Sequence, residues 1–191
     1  MFKRPIRRLQ RPIPRDRTGS PPGTERGAGT PGERFLLFEV GGDHFGIATA
    51  FLLEVAFQEG IAAIGGSEGG ECGVFSHRGF SIPALDLRTL FGYPAGPPAE
   101  GARVLIGEVA GRRMGLAVDR VGEIVELAPP AVLAVPEGTS QLPSGCFRGV
   151  VSRNECVVLL LEAAGLAALE CVDRFGEAVA VPVLGPGKDT P

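Results

Sequence analysis

The side chains that could carry chemistry are few, and none of them falls into a known catalytic pattern. His44 and His77 both lie in predicted turns, where a solvated side chain is more common than a general base. The four cysteines are Cys72, Cys146, Cys156 and Cys171. They show neither a C-x-x-C spacing nor nearby paired histidines, so reduced, buried thiols are favoured over zinc ligands. Because hydrolase, nucleotide-binding and zinc-protease motifs are also absent from the sequence, we expect no catalytic residue, cofactor or metal.

Polar side chains at the tip of a predicted hairpin suit protein recognition instead. Residues 73–76 and 80–85 are predicted as strands, joined by a turn over 77–79 whose glycine accepts a positive φ at little cost. Pro83 lacks a backbone donor, so this hairpin should lie at a sheet edge or a bulge. Arg78 is placed at the tip, where a long cation has no core to fill and can contact a partner.

An apolar stretch before this hairpin, residues 51–58, is predicted as a further strand. Its period of two separates two faces of the strand. We expect the core face to carry Phe51, Leu53, Val55 and Phe57. The opposite face, with Leu52 and Glu54, is then exposed and could form a contact surface.

The sequence also repeats itself, which predicts two copies of one small sheet. Four pairs of residues recur in the same order: Glu39-Val40 as Glu108-Val109, Gly46-Ile47 as Gly115-Leu116, Glu54-Val55 as Glu123-Ile124, and Gly73-Val74 as Gly149-Val150. The 29 glycines and 17 prolines, together with short apolar runs, favour an all-β fold. We therefore predict two small barrels over about 34–92 and 102–155 that share a hydrophobic joint. A strand and a short C-terminal helix over 155–170 should close them.

Two motifs in these elements resemble a known family. The hairpin segment G-V-F-S-H-R-G-F-S-I-P-A-L-D-L-R, residues 73–88, is similar to the signature of the CheW family, the scaffold that couples bacterial chemoreceptors to a histidine kinase. Residues 115–121, G-L-A-V-D-R-V, resemble its second signature. The chain departs from the family in a Gly-rich segment at 58–71 and in Glu162, where the family usually has Asp. The resemblance covers 34–170 and implies two five-stranded SH3-like barrels.

The resemblance further implies a non-catalytic adaptor in a signalling array, without a cofactor. One surface would pair end to end with the CheW-like regulatory domain of a CheA-type histidine kinase. The groove between the barrels would take the tip of a chemoreceptor's helical hairpin. The residues that carry over by motif are Leu52, Glu54, Gly73, Val74 and Arg78, and Glu54 and Arg78 are expected to pair. Strand alternation favours core packing for three weaker candidates, Met114, Leu116 and Val118.

The two ends of the chain are expected to lie outside this domain. Residues 1–33 hold eight Lys and Arg and three acids, a net charge of +5, whereas residues 34–191 carry −8. This Pro/Gly/Arg-rich arm should be disordered, and residues 171–191 should form a loose tail. The basic arm is not followed by the apolar h-region of a secretory signal, and no run is long enough to span a membrane, so a cytoplasmic protein is expected.

Two alternatives to the chemotaxis adaptor remain open. The Gly-rich segment at 58–71 favours a scaffold of a non-motility signalling cluster, or a diverged paralogue. The basic arm could instead bind nucleic acid or a membrane surface. No aromatic residues interleave its arginines, so no nucleic-acid partner is expected, and membrane contact should be only indirect, through receptors.

Overall fold

Ten strands and two short helices make up the part of the chain that the computed structural model describes, residues 32–58, 72–94, 96–128, 132–135, 142–153, 156–169 and 172. The strands are β1 Glu33–Val40, β2 Asp43–Ala48, β3 Leu52–Phe57, β4 Cys72–His77, β5 Phe80–Asp86, β6 Arg103–Val109, β7 Arg112–Val118, β8 Arg120–Leu127, β9 Phe147–Arg153 and β10 Cys156–Leu161. The helices are α1 Leu87–Leu90 and α2 Ala163–Ala167. The predictions for most of the arm, of the Gly-rich segment and of the tail lie outside the described residues, and the last arm residue, Glu33, begins β1.

The strands form two five-stranded sheets, which confirms the predicted all-β fold. The first sheet has the order β8-β1-β2-β10-β9 and the second the order β3-β6-β7-β5-β4. Each sheet contains two antiparallel hairpins joined in parallel at its centre, by β2 with β10 and by β7 with β5. The two orders correspond strand by strand: β1 matches β6, β2 matches β7, β3 matches β8, β4 matches β9 and β5 matches β10. The repeat seen in the sequence is therefore a repeat of structure.

The two sheets do not correspond to the two halves of the chain, so the expected barrels over 34–92 and 102–155 are wrong in their boundaries. The first sheet takes β1 and β2 from the first half and its other strands from the second half. The second sheet takes β6 and β7 from the second half and its other strands from the first. Each half of the chain therefore exchanges a pair of strands with the other half. The chain first crosses between the sheets at a short 3-10 turn, Thr49–Phe51, which leads from β2 in one sheet to β3 in the other. There the Phe51 ring occupies the space that a side chain at Gly107 would need, which fixes β3 against β6.

A large apolar core lies between the sheets and forms the predicted joint. Both sheets contribute fully buried side chains to it, such as Phe45 from the first and Leu116 from the second. Each sheet also has a small cluster of its own, around Val158 in the first and Ile82 in the second. Asp119 also connects segments across the joint by hydrogen bonds. Its carboxylate accepts from the Gly41 N–H at 2.7 Å and from Arg88 Nη1 at 3.2 Å.

The faces of β3 are the reverse of those predicted. Leu53, Val55 and Phe57 are exposed, whereas Ala56 is buried and Leu52 and Glu54 are half-buried. Phe51 is buried, but in the turn before the strand. The predicted alternation of the two faces is therefore correct, but the face predicted to be buried is the exposed one. The solvent-facing side of this edge strand is the more apolar of the two.

The cysteines also differ in part from the prediction of reduced, buried thiols. Cys72 is disulfide-bonded. Cys146 is a buried free thiol and Cys156 is an exposed one. Spacing along the chain carries no sign of the disulfide, because cysteines far apart in sequence are brought together only by the fold.

Candidate functional site

The predicted recognition tip is a tight turn between β4 and β5. Arg78 and Gly79 both have positive φ, at 50° and 80°, which is the signature of a two-residue type I′ hairpin turn. The left-handed region costs a residue with a Cβ about 1–2 kcal/mol. A Cβ at Gly79 would meet nothing within 4 Å, so glycine is needed there for its backbone angle and not for space. The turn therefore holds the Arg78 side chain at the tip of the hairpin.

Glu54 on β3 binds this tip. Arg78 Nη2 donates to Glu54 Oε1 at 2.8 Å, so the expected pair is present. His77 Nε2 lies 3.2 Å from Glu54 Oε2 but is not aligned for a hydrogen bond, which makes this approach an ionic contact at most. Because β3 and β4 are the two edge strands of the second sheet, these contacts bring its edges together.

An apolar row beside the tip is the feature that sequence reasoning missed. Leu53, Val55 and Phe57 are 57%, 42% and 67% exposed, and the Arg103 guanidinium lies 3.9 Å from the centre of the Phe57 ring. A cleft of about 270 Å³ runs between β3 and β4, and its walls include Phe57 and His77. The sequence pattern assigns these apolar side chains to the core, and their exposure becomes apparent only once the strand is known to lie at an edge.

The other residues of the predicted contact surface are less accessible. Gly73 is buried and Val74 half-buried on β4, and Leu52 packs partly against the core of the joint. Among the predicted contact residues, Arg78 has the most accessible side chain, at 72% exposed.

The three weaker candidates are core residues. Met114, Leu116 and Val118 on β7 are at most 2% exposed and belong to the cluster between the sheets. Their expected contact with a partner is therefore replaced by packing, because β7 is flanked by β6 and β5 and these side chains face the joint. This is the outcome that strand alternation favours.

A second pair with the same design joins the edges of the first sheet. Glu123 on β8, the counterpart of Glu54, accepts a hydrogen bond from Arg153 Nη2 at 2.9 Å. Arg153 ends β9 at the position of His77, one residue before the counterpart of Arg78. Because of this shift by one residue, aligning the two copies of the motif does not reveal the pair.

The described residues contain no group of His, Cys, Asp or Glu side chains that could hold a metal ion. Burial raises the pKa of the Cys146 thiol, which keeps it protonated and unreactive near neutral pH. Within the same ranges, no helix is long and apolar enough to cross a membrane. The groups at and beside the tip are a cation, an aromatic ring and aliphatic side chains.

Comparisons with known proteins agree on one family. The model of the CheW-like domain matches residues 34–171. The chemotaxis protein CheW of Klebsiella aerogenes is 25% identical over 141 residues, covering 74% of this chain and 85% of that protein. A probable chemotaxis protein CheW of Rhizobium etli is 25% identical over 132 residues, covering 69% and 85%. The crystal structure of the scaffolding protein TtCheW from Thermoanaerobacter tengcongensis superimposes with a TM-score of 0.62 at 20% identity, over 73% of this chain and 90% of that one.

Proposed function

This chain belongs to the CheW-like domain family, and from that premise we propose that it is a non-catalytic adaptor in a bacterial signalling array. It joins the cytoplasmic tip of a chemoreceptor to the CheW-like regulatory domain of a CheA-type histidine kinase. The protein then acts by holding two partners at a fixed distance and orientation. Its contact with the membrane is indirect, through the receptor, and it acts in the cytoplasm.

The observation that carries this proposal is the Glu54–Arg78 pair at a hairpin tip that matches the family motif. An exposed ion pair contributes only about 0–1 kcal/mol to stability. A guanidinium and a carboxylate have complementary planar geometry, however, so the pair fixes the orientation of both side chains. Its location on the surface, and not in a core, favours a role in presenting Arg78 and the adjacent apolar row to a partner.

The composition of this surface fits a protein partner. Protein interfaces are enriched in aromatic residues and arginine and surround an apolar centre with a polar rim. Phe57, stacked under Arg103, lies on the same strand as Glu54 and supplies such an aromatic residue. We assign the receptor hairpin to the side of the second sheet that carries Arg78. The kinase domain then pairs end to end with another surface of the chain.

A scaffold for a signalling cluster other than motility is the second candidate. It rests on the Gly-rich composition of residues 58–71, which departs from the family in the segment between β3 and β4. The fold and the site are the same under both candidates, and only the partners differ.

A binding titration tests the adaptor proposal. The full chain is titrated with the kinase regulatory domain and with a cytoplasmic receptor fragment from the same organism, first separately and then together. We expect each partner to bind and the two to bind simultaneously. Binding of neither partner would contradict the proposal, and binding to partners from a non-motility cluster alone would favour the second candidate.

A further inference from the structure

The disulfide at Cys72 has a partner that counting the cysteines identifies. The chain has four cysteines, at positions 72, 146, 156 and 171. Cys72 is disulfide-bonded, whereas Cys146 and Cys156 are free thiols. Cys171 lies outside the described residues, and it is the only cysteine of the sequence that is left to pair with Cys72.

The residue after Cys171 packs in the same apolar core as Cys72. Val172 is 5% exposed and Cys72 is 2% exposed, and both belong to the cluster between the sheets. The Val172 carbonyl also accepts a hydrogen bond from Arg112 Nη2 at 3.5 Å. Arg112 begins β7, which lies in the same sheet as β4, the strand that Cys72 begins. The chain after α2 therefore reaches the second sheet, where a cysteine can pair with Cys72.

A bond between positions 72 and 171 ties the base of the recognition hairpin to the end of the domain. Cys72 faces Leu85 on β5, at the end of the hairpin opposite to Arg78. Val172 follows α2, which itself follows β10 of the first sheet. The bond closes a loop of about 100 residues, and closing a long loop removes entropy from the unfolded chain. It therefore stabilises the fold across both sheets.

We propose that Cys72 and Cys171 form a redox-sensitive switch. The intact disulfide holds the chain after α2 against the second sheet, and a cellular monothiol of the glutathione class opens it. Disulfides are rare in the cytoplasm, and those that occur there are usually transient or redox-sensing. The switching part of this inference rests on the cytoplasmic adaptor proposed above, whereas the pairing of the two cysteines does not.

The chemistry is a two-electron thiol–disulfide exchange. Because Cys72 is buried, a glutathione thiolate attacks the Cys171 sulfur, and the electron pair of the S–S bond leaves with Cys72 as a thiolate. A second glutathione thiolate attacks the glutathione sulfur of the mixed disulfide and releases Cys171. The two protons lost by the glutathione thiols end on the two cysteines, and oxidised glutathione is the other product. Oxidised glutathione closes the bond by the reverse steps.

Peptide mapping of the full chain tests the pairing. The protein is equilibrated with oxidised glutathione, its free thiols are alkylated in denaturant, and it is digested with trypsin. We expect residues 35–78 to be cross-linked to residues 154–174, with Cys156 alkylated in the second peptide and Cys146 alkylated in residues 121–148. A link from Cys72 to Cys146 or Cys156, or four alkylated cysteines, would overturn the proposal.

Equilibration in glutathione buffers tests the switch. The full chain is incubated in a series of buffers that runs from oxidising to more reducing than the cytoplasm, and the disulfide is scored by alkylation. We expect the bond to pass from mostly intact to mostly reduced within this series. The reduced protein should melt about 5 °C or more below the oxidised protein. A bond that stays intact in every buffer, or thiols that pair in none, would contradict the switch.

Two matched variants separate the bond from general effects of the buffer. Cys171→Ser should melt at the temperature of the reduced protein in every buffer. Cys156→Ser removes a thiol outside the pair and should respond to glutathione as the native chain does. A melting temperature of Cys171→Ser that still followed the buffer would overturn the proposal. These measurements include neither a receptor nor a kinase, so their failure would leave the adaptor proposal intact, and failure of the binding titration would leave the pairing intact.

Discussion

At the scale of single residues, the recognition tip depends on a backbone angle that most side chains avoid. Arg78 has a φ of 50° at the first central position of its turn, and Ala110 has the same angle at the matching position of the turn between β6 and β7. In the turn between β1 and β2 both central positions are glycines. The chain thus accepts a cost at two turns, and only at Arg78 does the side chain make a contact that a glycine could not make.

Because Ala110 holds a positive φ without a compensating side-chain contact, Ala110→Gly should stabilise the protein by about 0.5–1 kcal/mol. Glycine removes the strain of the left-handed backbone, and this gain exceeds the loss from the greater entropy of the unfolded chain. Urea denaturation measures the change. The matched substitution Arg78→Gly should gain less, because it also removes the bond to Glu54. A loss of stability in Ala110→Gly would show that this turn is not built on positive φ.

At the scale of elements, the sequence predicts the strands and turns, but it does not predict which face of β3 points into the core. The period-two pattern of residues 51–58 identifies β3 correctly, because alternation depends only on local geometry. Which face points inward depends on the neighbouring strands, and β3 lies at an edge with its apolar row in solvent. The same limit applies to the pair of Glu123 with Arg153. These two residues meet only in the folded chain, and Arg153 lies one residue before the position that corresponds to Arg78.

Because Phe57 on β3 is exposed and Phe75 on β4 is buried, substituting the two phenylalanines should cost very different amounts of stability. Phe75→Ala empties a buried position in the core of the second sheet and should cost about 3–5 kcal/mol. Phe57→Ala removes an exposed ring and its contact with Arg103, and should cost less than about 1 kcal/mol. Chemical denaturation of both variants gives the comparison. If Phe57→Ala proved the more damaging change, the assignment of the faces would be wrong.

At the scale of the whole molecule, the exchange of hairpins between the two halves is the feature that the sequence could not reveal. Recurring pairs such as Glu39-Val40 and Glu108-Val109 identify equivalent strands, but equivalent strands could pair within a half or across halves with the same local pattern. The short connection from β2 to β3 and the packing of Phe51 over Gly107 select the exchanged arrangement.

This arrangement predicts that neither half of the chain folds alone. Fragments 1–95 and 96–191, divided in the linker before β6, should each lack a cooperative thermal transition. Mixed in equal amounts, they should regain the β-sheet circular-dichroism spectrum, because each sheet needs strands from both. A single fragment that unfolded cooperatively by itself would contradict the exchange.

The central claim is that the Glu54–Arg78 pair presents a receptor-binding surface, and a charge-reversal cycle tests it most directly. The measurement is the affinity of a cytoplasmic chemoreceptor fragment for the native chain, for Arg78→Glu, for Glu54→Arg and for the double variant, with thermal unfolding recorded for each. We predict unchanged unfolding, a loss of at least about 10-fold in affinity for each single variant, and partial recovery in the double variant. Full receptor affinity in Arg78→Glu, or unfolding of that variant, would contradict the account.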